Sequence, residues 1–94
     1  MNEEIRKEYT DRMTSELPIL RKVLRMTQGQ LAEKLGLSRS TVANIESGRQ
    51  KMTWNVFLSI ITIVRMNPQA SKLLTAMELY DSRLKDFLAG KEEA

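Results

Sequence analysis

The 94-residue chain contains no cysteine and no histidine. Disulfides and cysteine- or histidine-based metal sites are therefore excluded, as is catalysis by a thiol or an imidazole. There are only 2 prolines and 4 glycines, and apart from Gly29 they fall at segment boundaries. Aromatic residues make up 5% of the chain and do not alternate with β-branched ones, so no strand is expected. The longest apolar run, roughly Val56 to Val64, is broken by Ser59 and Thr62. It falls far short of the ~20 residues of a membrane span. The N-terminal stretch is acidic and has no apolar core, so no secretory leader is expected and a reducing cytoplasm suits the chain. Repeats, glycine-rich phosphate loops and clustered acid pairs are also missing. No catalytic residue, metal or cofactor is expected.

What is present is an uneven distribution of charge. Between residues 17 and 66, Arg21, Lys22, Arg25, Lys34, Arg39, Arg49, Lys51 and Arg65 face only Glu33 and Glu46. Residues 1–16 and 67–94 are each slightly acidic. A basic middle between acidic flanks is the pattern of a segment that meets phosphates, the alternative being a solvated surface of random sign.

The chain reads as one small all-α domain of about five to six helices. Ile5, Tyr9 and Met13 mark an N-terminal helical extension over 1–16. Thr14 or Ser15 is placed to cap a second helix with Pro18 in its first turn, running to about Met26 with Leu17, Leu20 and Leu24 on one face. Thr27 caps a helix from Gln28 to Leu35, and Gly36 ends it. Ser38 caps a helix to about Ser47, closed by Gly48. Thr53 caps a helix from Trp54 to about Met66, apolar around most of its circumference, so two of its faces must be covered. Asn67, with Pro68 behind it, starts a long C-terminal helix over 67–89, followed by a flexible tail over 90–94.

Residues 28–47 form the most specific pattern. Leu31, Leu35, Leu37, Val42 and Ile45 give two short helices one apolar underside. Ala32 stands where they cross, and Gly36 makes the turn. An ordinary helical hairpin shares this packing, but the outer face of 38–47 separates the two readings. At about 100° per residue, Arg39, Ser40, Ala43, Asn44 and Ser47 fall within an arc of about 140°, opposite Val42 and Ile45. A solvated face more often carries Glu and Lys. Compact side chains with paired donors and acceptors suit the major groove: Arg toward guanine, Asn toward adenine, Ser toward either.

The residues Leu20-Arg21, Thr27-Gln28, Leu31-Ala32, Gly36-Leu37-Ser38, Val42, Ile45-Glu46 and Gly48-Arg49 resemble the lambda-repressor-like, Cro-type (XRE family) helix-turn-helix transcriptional regulators, over a core at 17–66. The resemblance implies a lambda-repressor-like DNA-binding fold. It implies that Arg39, Ser40 and Asn44 read bases. Thr27, Gln28, Ser38, Thr41, Arg49 and Lys51 would contact the sugar–phosphate backbone, with Gln28 also buttressing the reading helix. Arg21 and Glu46 would form a structural ion pair. Two features depart from the family pattern. Gly29 lies inside a helix, which suits either close approach to DNA or simple tolerance. Thr53 replaces a loop proline, leaving Trp54 as a packing anchor or a DNA contact.

The implied partner is double-stranded DNA carrying a palindromic operator, bound by a homodimer, because one small module reads too few bases. Leu73, Met77, Tyr80, Leu84 and Phe87 step by four and three, a seam suited to a dimer helix or to packing over 54–66. The expected function is a sequence-specific regulator, a repressor. An antitoxin repressing its own operon, with a toxin partner at the terminal helices, shares this chemistry. A protein-interaction module of the same fold would lose Arg39 and Asn44 from the reading face, and this chain keeps both.

Overall fold

Asn2 starts the first helix, its side-chain oxygen accepting the Ile5 N–H at 2.9 Å. The computed structural model describes residues 1–91. Among them six helices and no strand are found: α1 Glu3–Val23, α2 Gln28–Leu35, α3 Arg39–Glu46, α4 Trp54–Arg65, α5 Pro68–Ala76 and α6 Ser82–Leu88. The fold is all-α and lambda-repressor-like, with α2 and α3 as a central helix-turn-helix. None of these helices is long and apolar enough to cross a membrane.

α1 corrects the expected break between an N-terminal extension and a second helix. It is one helix of 21 residues with Pro18 inside it. Thr14 and Ser15 do not cap; their hydroxyls donate backwards to the Thr10 and Asp11 carbonyls at 2.8 and 3.4 Å. An interior proline costs about 3 kcal/mol through its missing N–H and ring clash. The helix continues because one stripe runs straight through it: Tyr9, Met13, Leu17 and Leu20 are all almost fully buried. Each such side chain contributes about 1.5–3 kcal/mol by leaving water, so the stripe outweighs the proline. The boundary at residue 16 therefore falls inside a rigid helix.

The C-terminal half corrects a second expectation. The helix over 67–89 is two helices. α5 ends at Met77, and Glu78 turns left-handed with φ 58°. The Leu79 N–H then closes back on the Leu74 carbonyl at 3.1 Å. This turn drops Leu79 into the core, where it is fully buried. Asp81 restarts the chain by capping α6, accepting the Leu84 N–H at 3.0 Å. Leu73, Met77, Tyr80, Leu84 and Phe87 consequently share no helix axis. Leu84 is fully buried, and the other four lie half-buried against the same core. Gly90, at φ 72°, and the Lys91 N–H, on the Asp86 carbonyl at 2.8 Å, close α6. Of the expected flexible tail, residues 92–94 lie outside the described residues.

One hydrophobic cluster takes residues from all six helices. Its centre is aromatic. Phe57, fully buried on α4, stacks on Trp54 at 4.8 Å between ring centroids and meets Tyr9 of α1 at 5.7 Å. Trp54 also touches the edges of Tyr9 and Phe87. The Arg6 guanidinium lies 5.4 Å from the Trp54 ring centre, a cation–π contact. Trp54 is thus a packing anchor. The Tyr9 hydroxyl donates to the Asp81 carboxylate at 2.6 Å and accepts from Arg83 Nε at 3.1 Å. One carboxylate therefore caps α6 and pins it to α1.

Candidate nucleic-acid interface

The local chemistry of residues 27–48 sets two helices at a fixed angle. Thr27 and Gln30 form a reciprocal capping box: the Gln30 N–H donates to the Thr27 hydroxyl at 3.1 Å and the Thr27 N–H to the Gln30 side chain at 2.8 Å. Gly36 ends α2 with φ 70°, a conformation that costs other residues about 1–2 kcal/mol. Ser38 then caps α3 by accepting the Thr41 N–H at 3.1 Å, and the two hydroxyls share a bond of 2.8 Å. Leu31 and Ala32 of α2 and Val42 and Ile45 of α3 are buried in the shared underside.

α3 is clamped at its far end. Arg21 donates through Nε and one terminal nitrogen to the two Glu46 oxygens at 2.9 and 3.0 Å. Its other terminal nitrogen reaches the Met26 carbonyl at 3.1 Å. Gln28 Nε2 donates to the same Glu46 carboxylate at 3.0 Å. A single carboxylate therefore ties α3 to α1 and to the start of α2, and Arg21 extends the network to the turn after α1. Only 7% of the Glu46 side chain is exposed. Burial pushes its carboxyl up, but the Arg21 fork, the Gln28 amide and the Arg21 charge together hold it below the ordinary range. The hydrogen bond to Glu46 raises the Arg21 guanidinium in turn.

Outward from this frame, Arg39 and Ser40 are exposed and Asn44 half-exposed on one face of α3. Among the described residues, the polar groups of these three side chains make no hydrogen bond or ion pair within the protein. The Asn44 backbone carbonyl is fully used: it accepts from the Arg49 and Gln50 N–H groups at 2.9 and 3.1 Å and from the Ser47 hydroxyl at 3.1 Å. That wraps the loop after α3 back on the helix, with Gly48 at φ 81°. Arg49 and Lys51 stand exposed on this loop, apart from any ion pair among the described residues. Thr27 and Ser38 are also exposed; Gln28 and Thr41 are half-buried. The result is a rigid helix with uncommitted donors, edged by a short basic loop.

The family model described as "Helix-turn-helix domain" matches residues 12–74. The chain belongs to that family. The match covers a little over half of α1 and runs into α5, so this helix-turn-helix domain includes the Arg21–Glu46 clamp and the whole of α4. No curated protein and no solved structure matches the chain. Helix-turn-helix domains are DNA-binding, and the domain here presents chemistry suited to it: a helix with exposed polar side chains on one face and a buried apolar underside.

Sequence reasoning missed three parts of this scaffold. The Tyr9–Asp81–Arg83 network joins residues more than 70 positions apart, beyond any local pattern. The Arg6 contact with Trp54 is equally non-local. The placement of Gly29 against Arg39 had a visible signal, a glycine inside a helix, but no visible partner.

The two depressed carboxyls set an acid limit. Glu46 is described above; Asp81, pushed up by burial, is held below its ordinary range by Tyr9, the Leu84 N–H and Arg83. For such groups the stabilisation is fully present above the unfolded value, near about pH 4, and is lost as pH falls through the lower folded value. The unfolding temperature is expected to drop steeply below about pH 4 and to stay level between about pH 5 and 8, where no histidine titrates. Thermal unfolding across this range checks it. Combining Glu46→Gln with Asp81→Asn should lower the plateau and flatten the acid limb; an acid limb of unchanged steepness contradicts the assignment.

Proposed function

We propose that this helix-turn-helix domain is a sequence-specific double-stranded DNA-binding regulator, a repressor of the Cro-type (XRE) kind acting in the cytoplasm. The observation that carries the reading is the face of α3. Arg39 and Ser40 are exposed and Asn44 half-exposed, on a helix whose own position is fixed by the Arg21–Glu46–Gln28 clamp. A base reader needs both properties, because donors must be available and held in register with base edges. Arg39, Ser40 and Asn44 contact bases. Thr27, Gln28, Ser38, Thr41, Arg49 and Lys51 hold phosphates; for Gln28 the amide N–H₂ is shared with Glu46. Repression needs only occupancy of the operator.

The protein works on a palindromic operator as a homodimer, two reading helices spanning half-sites about 10 bp apart. The apolar surface that supports this lies along the outer side of α4. Met66 is 82% exposed and Leu88 46%, and both line a groove with Leu58, Ile61 and Tyr80. Of the seam from Leu73 to Phe87, Tyr80 lines this groove, while Leu84 is buried within the protomer.

Selection of bound sequences from a random duplex pool tests the reading. A two-fold symmetric site is expected. Affinity for that site should fall with salt at a log–log slope near about −0.9 per neutralised phosphate. Arg39→Ala should relax preference at one base pair per half-site by about 1–3 kcal/mol. Lys51→Ala should weaken all duplexes alike and reduce the salt slope by about one. A protein with no salt-sensitive affinity for any duplex defeats the proposal, and an asymmetric single half-site defeats the homodimer.

A further inference from the structure

Gly29 occupies the second position of α2, and its presence there is not explained by backbone conformation. The residue lies within a regular helix, and its φ is not among the positive values, which belong to Gly36, Gly48 and Gly90. A helical glycine costs up to about 1 kcal/mol relative to alanine. What distinguishes the site is its neighbour. A methyl group built on the Gly29 Cα would sit 3.7 Å from Arg39 Cδ and 3.9 Å from the Thr27 hydroxyl oxygen. The end of the Arg39 stem therefore lies against the first turn of α2, beside the bare glycine, which is half-exposed.

We propose that Gly29 is a specificity-determining residue: its empty side-chain position is the bed for the Arg39 stem and so sets where the Arg39 guanidinium reaches the bases. The inference rests on the reading of Arg39 as a base contact. An arginine stem has four rotatable bonds and loses about 2 kcal/mol of rotamer freedom when fixed. A groove reader that holds its arginine only at the guanidinium takes that loss on binding. A stem already laid along a neighbouring helix is partly ordered beforehand, which is the general route to sharper recognition. A methyl at position 29 makes ordinary contact and leaves the stem in place. A longer side chain leaves the same Cβ, which already touches Arg39 Cδ and the Thr27 hydroxyl oxygen, and its next atoms occupy the same bed. The Arg39 stem must then lift, and its guanidinium meets a different position along the groove.

The test uses the full chain and the duplex selected from the random pool, with single-base-pair variants of it. Five chains are compared: wild type, Gly29→Ala, Gly29→Gln, Arg39→Ala and Gly29→Gln combined with Arg39→Ala. Gly29→Met, apolar and of similar length, stands in for glutamine if that variant folds poorly. Thermal unfolding is measured for each. Gly29→Ala should unfold at a higher temperature and keep wild-type discrimination. Gly29→Gln should fold and keep its affinity for unrelated duplexes. Its discrimination at the base pair sensed by Arg39 should fall about tenfold or more, the loss of one bidentate contact. In the Arg39→Ala background, the glutamine should change discrimination no further. The proposal is overturned if Gly29→Gln discriminates like wild type, or if it loses discrimination equally with and without Arg39. An Arg39→Ala chain that discriminates like wild type overturns the base-contact reading itself, and the role of Gly29 with it. That outcome is recognised from the single Arg39 variant alone.

Discussion

Arg21→Ala is expected to destabilise the domain by about 3–5 kcal/mol, out of a total of about 5–15 for a protein of this size. The reason lies less in the attraction lost than in the charge left behind. Glu46 keeps 7% of its side chain exposed and would retain only the Gln28 amide. The Met26 carbonyl would lose its donor as well. Glu46→Ala should cost a similar amount, by stranding the guanidinium. Replacing both residues with apolar ones, Arg21→Met with Glu46→Leu, should cost far less than the sum of the single changes, because no buried charge remains. Urea unfolding of the two single variants and the double checks this. Additive losses would show that the pair contributes as two independent groups. The double variant separates stability from reading. It should fold, yet discriminate between operators less sharply, since α3 then rests on packing without a hydrogen-bonded stop.

Phe57→Ala should be comparably damaging, at about 3–5 kcal/mol. Phe57 is fully buried and stands where the aromatic groups of three helices meet: Tyr9 from α1, Trp54 beside it on α4, and through Trp54, Phe87 from α6. Removing the ring leaves a cavity that no neighbour fills without breaking its own contacts. Tyr9 cannot move inward without releasing Asp81, and Trp54 cannot without leaving Arg6. A domain of this size shifts its midpoint by about 4–8 °C per kcal/mol, so the unfolding temperature should fall by tens of degrees. Phe57→Leu, which keeps most of the volume, should recover a large part of the loss. Equal midpoints for Phe57→Ala and wild type would mean that the aromatic centre carries no net stability.

The parts of the fold written in local chemistry were legible in the sequence. Thr27, Ser38, Thr53 and Asn67 each stand at the start of a helix and each cap it, and Gly36 and Gly48 are left-handed. Such signals need only a few neighbouring residues. The misread segments are those where distant packing overrode a local cue. Pro18 and the hydroxyls at 14 and 15 marked a boundary, but a buried stripe from Tyr9 to Leu20 carries the helix past it. At the other end the competition ran the opposite way. A four-and-three spacing from Leu73 to Phe87 suggested one helix, while in the structure Leu79 is buried and Asp81 caps a new helix. The placement of Arg39, Ser40 and Asn44 opposite the buried Val42 and Ile45 was legible because helical periodicity alone sets it. The Arg21–Glu46 pair spans 25 residues and was suggested only by family resemblance, since spacing alone offers no reason to join them.

The bond between Tyr9 and Asp81 closes a loop of 72 residues, and this imposes an order on how a newly made chain can finish folding. Synthesis proceeds at about 5–20 residues per second, so several seconds separate the appearance of the two groups. For about the second half of that interval the residues of α1, α2 and α3 are all present and can pair, while Tyr9 waits with its ring uncovered and its hydroxyl without its acceptor. The last step is the arrival of Asp81, which starts α6 and latches it to the beginning of the chain in one stroke. The helix-turn-helix is thus available early, and α6, made after it, decides when the whole domain is locked.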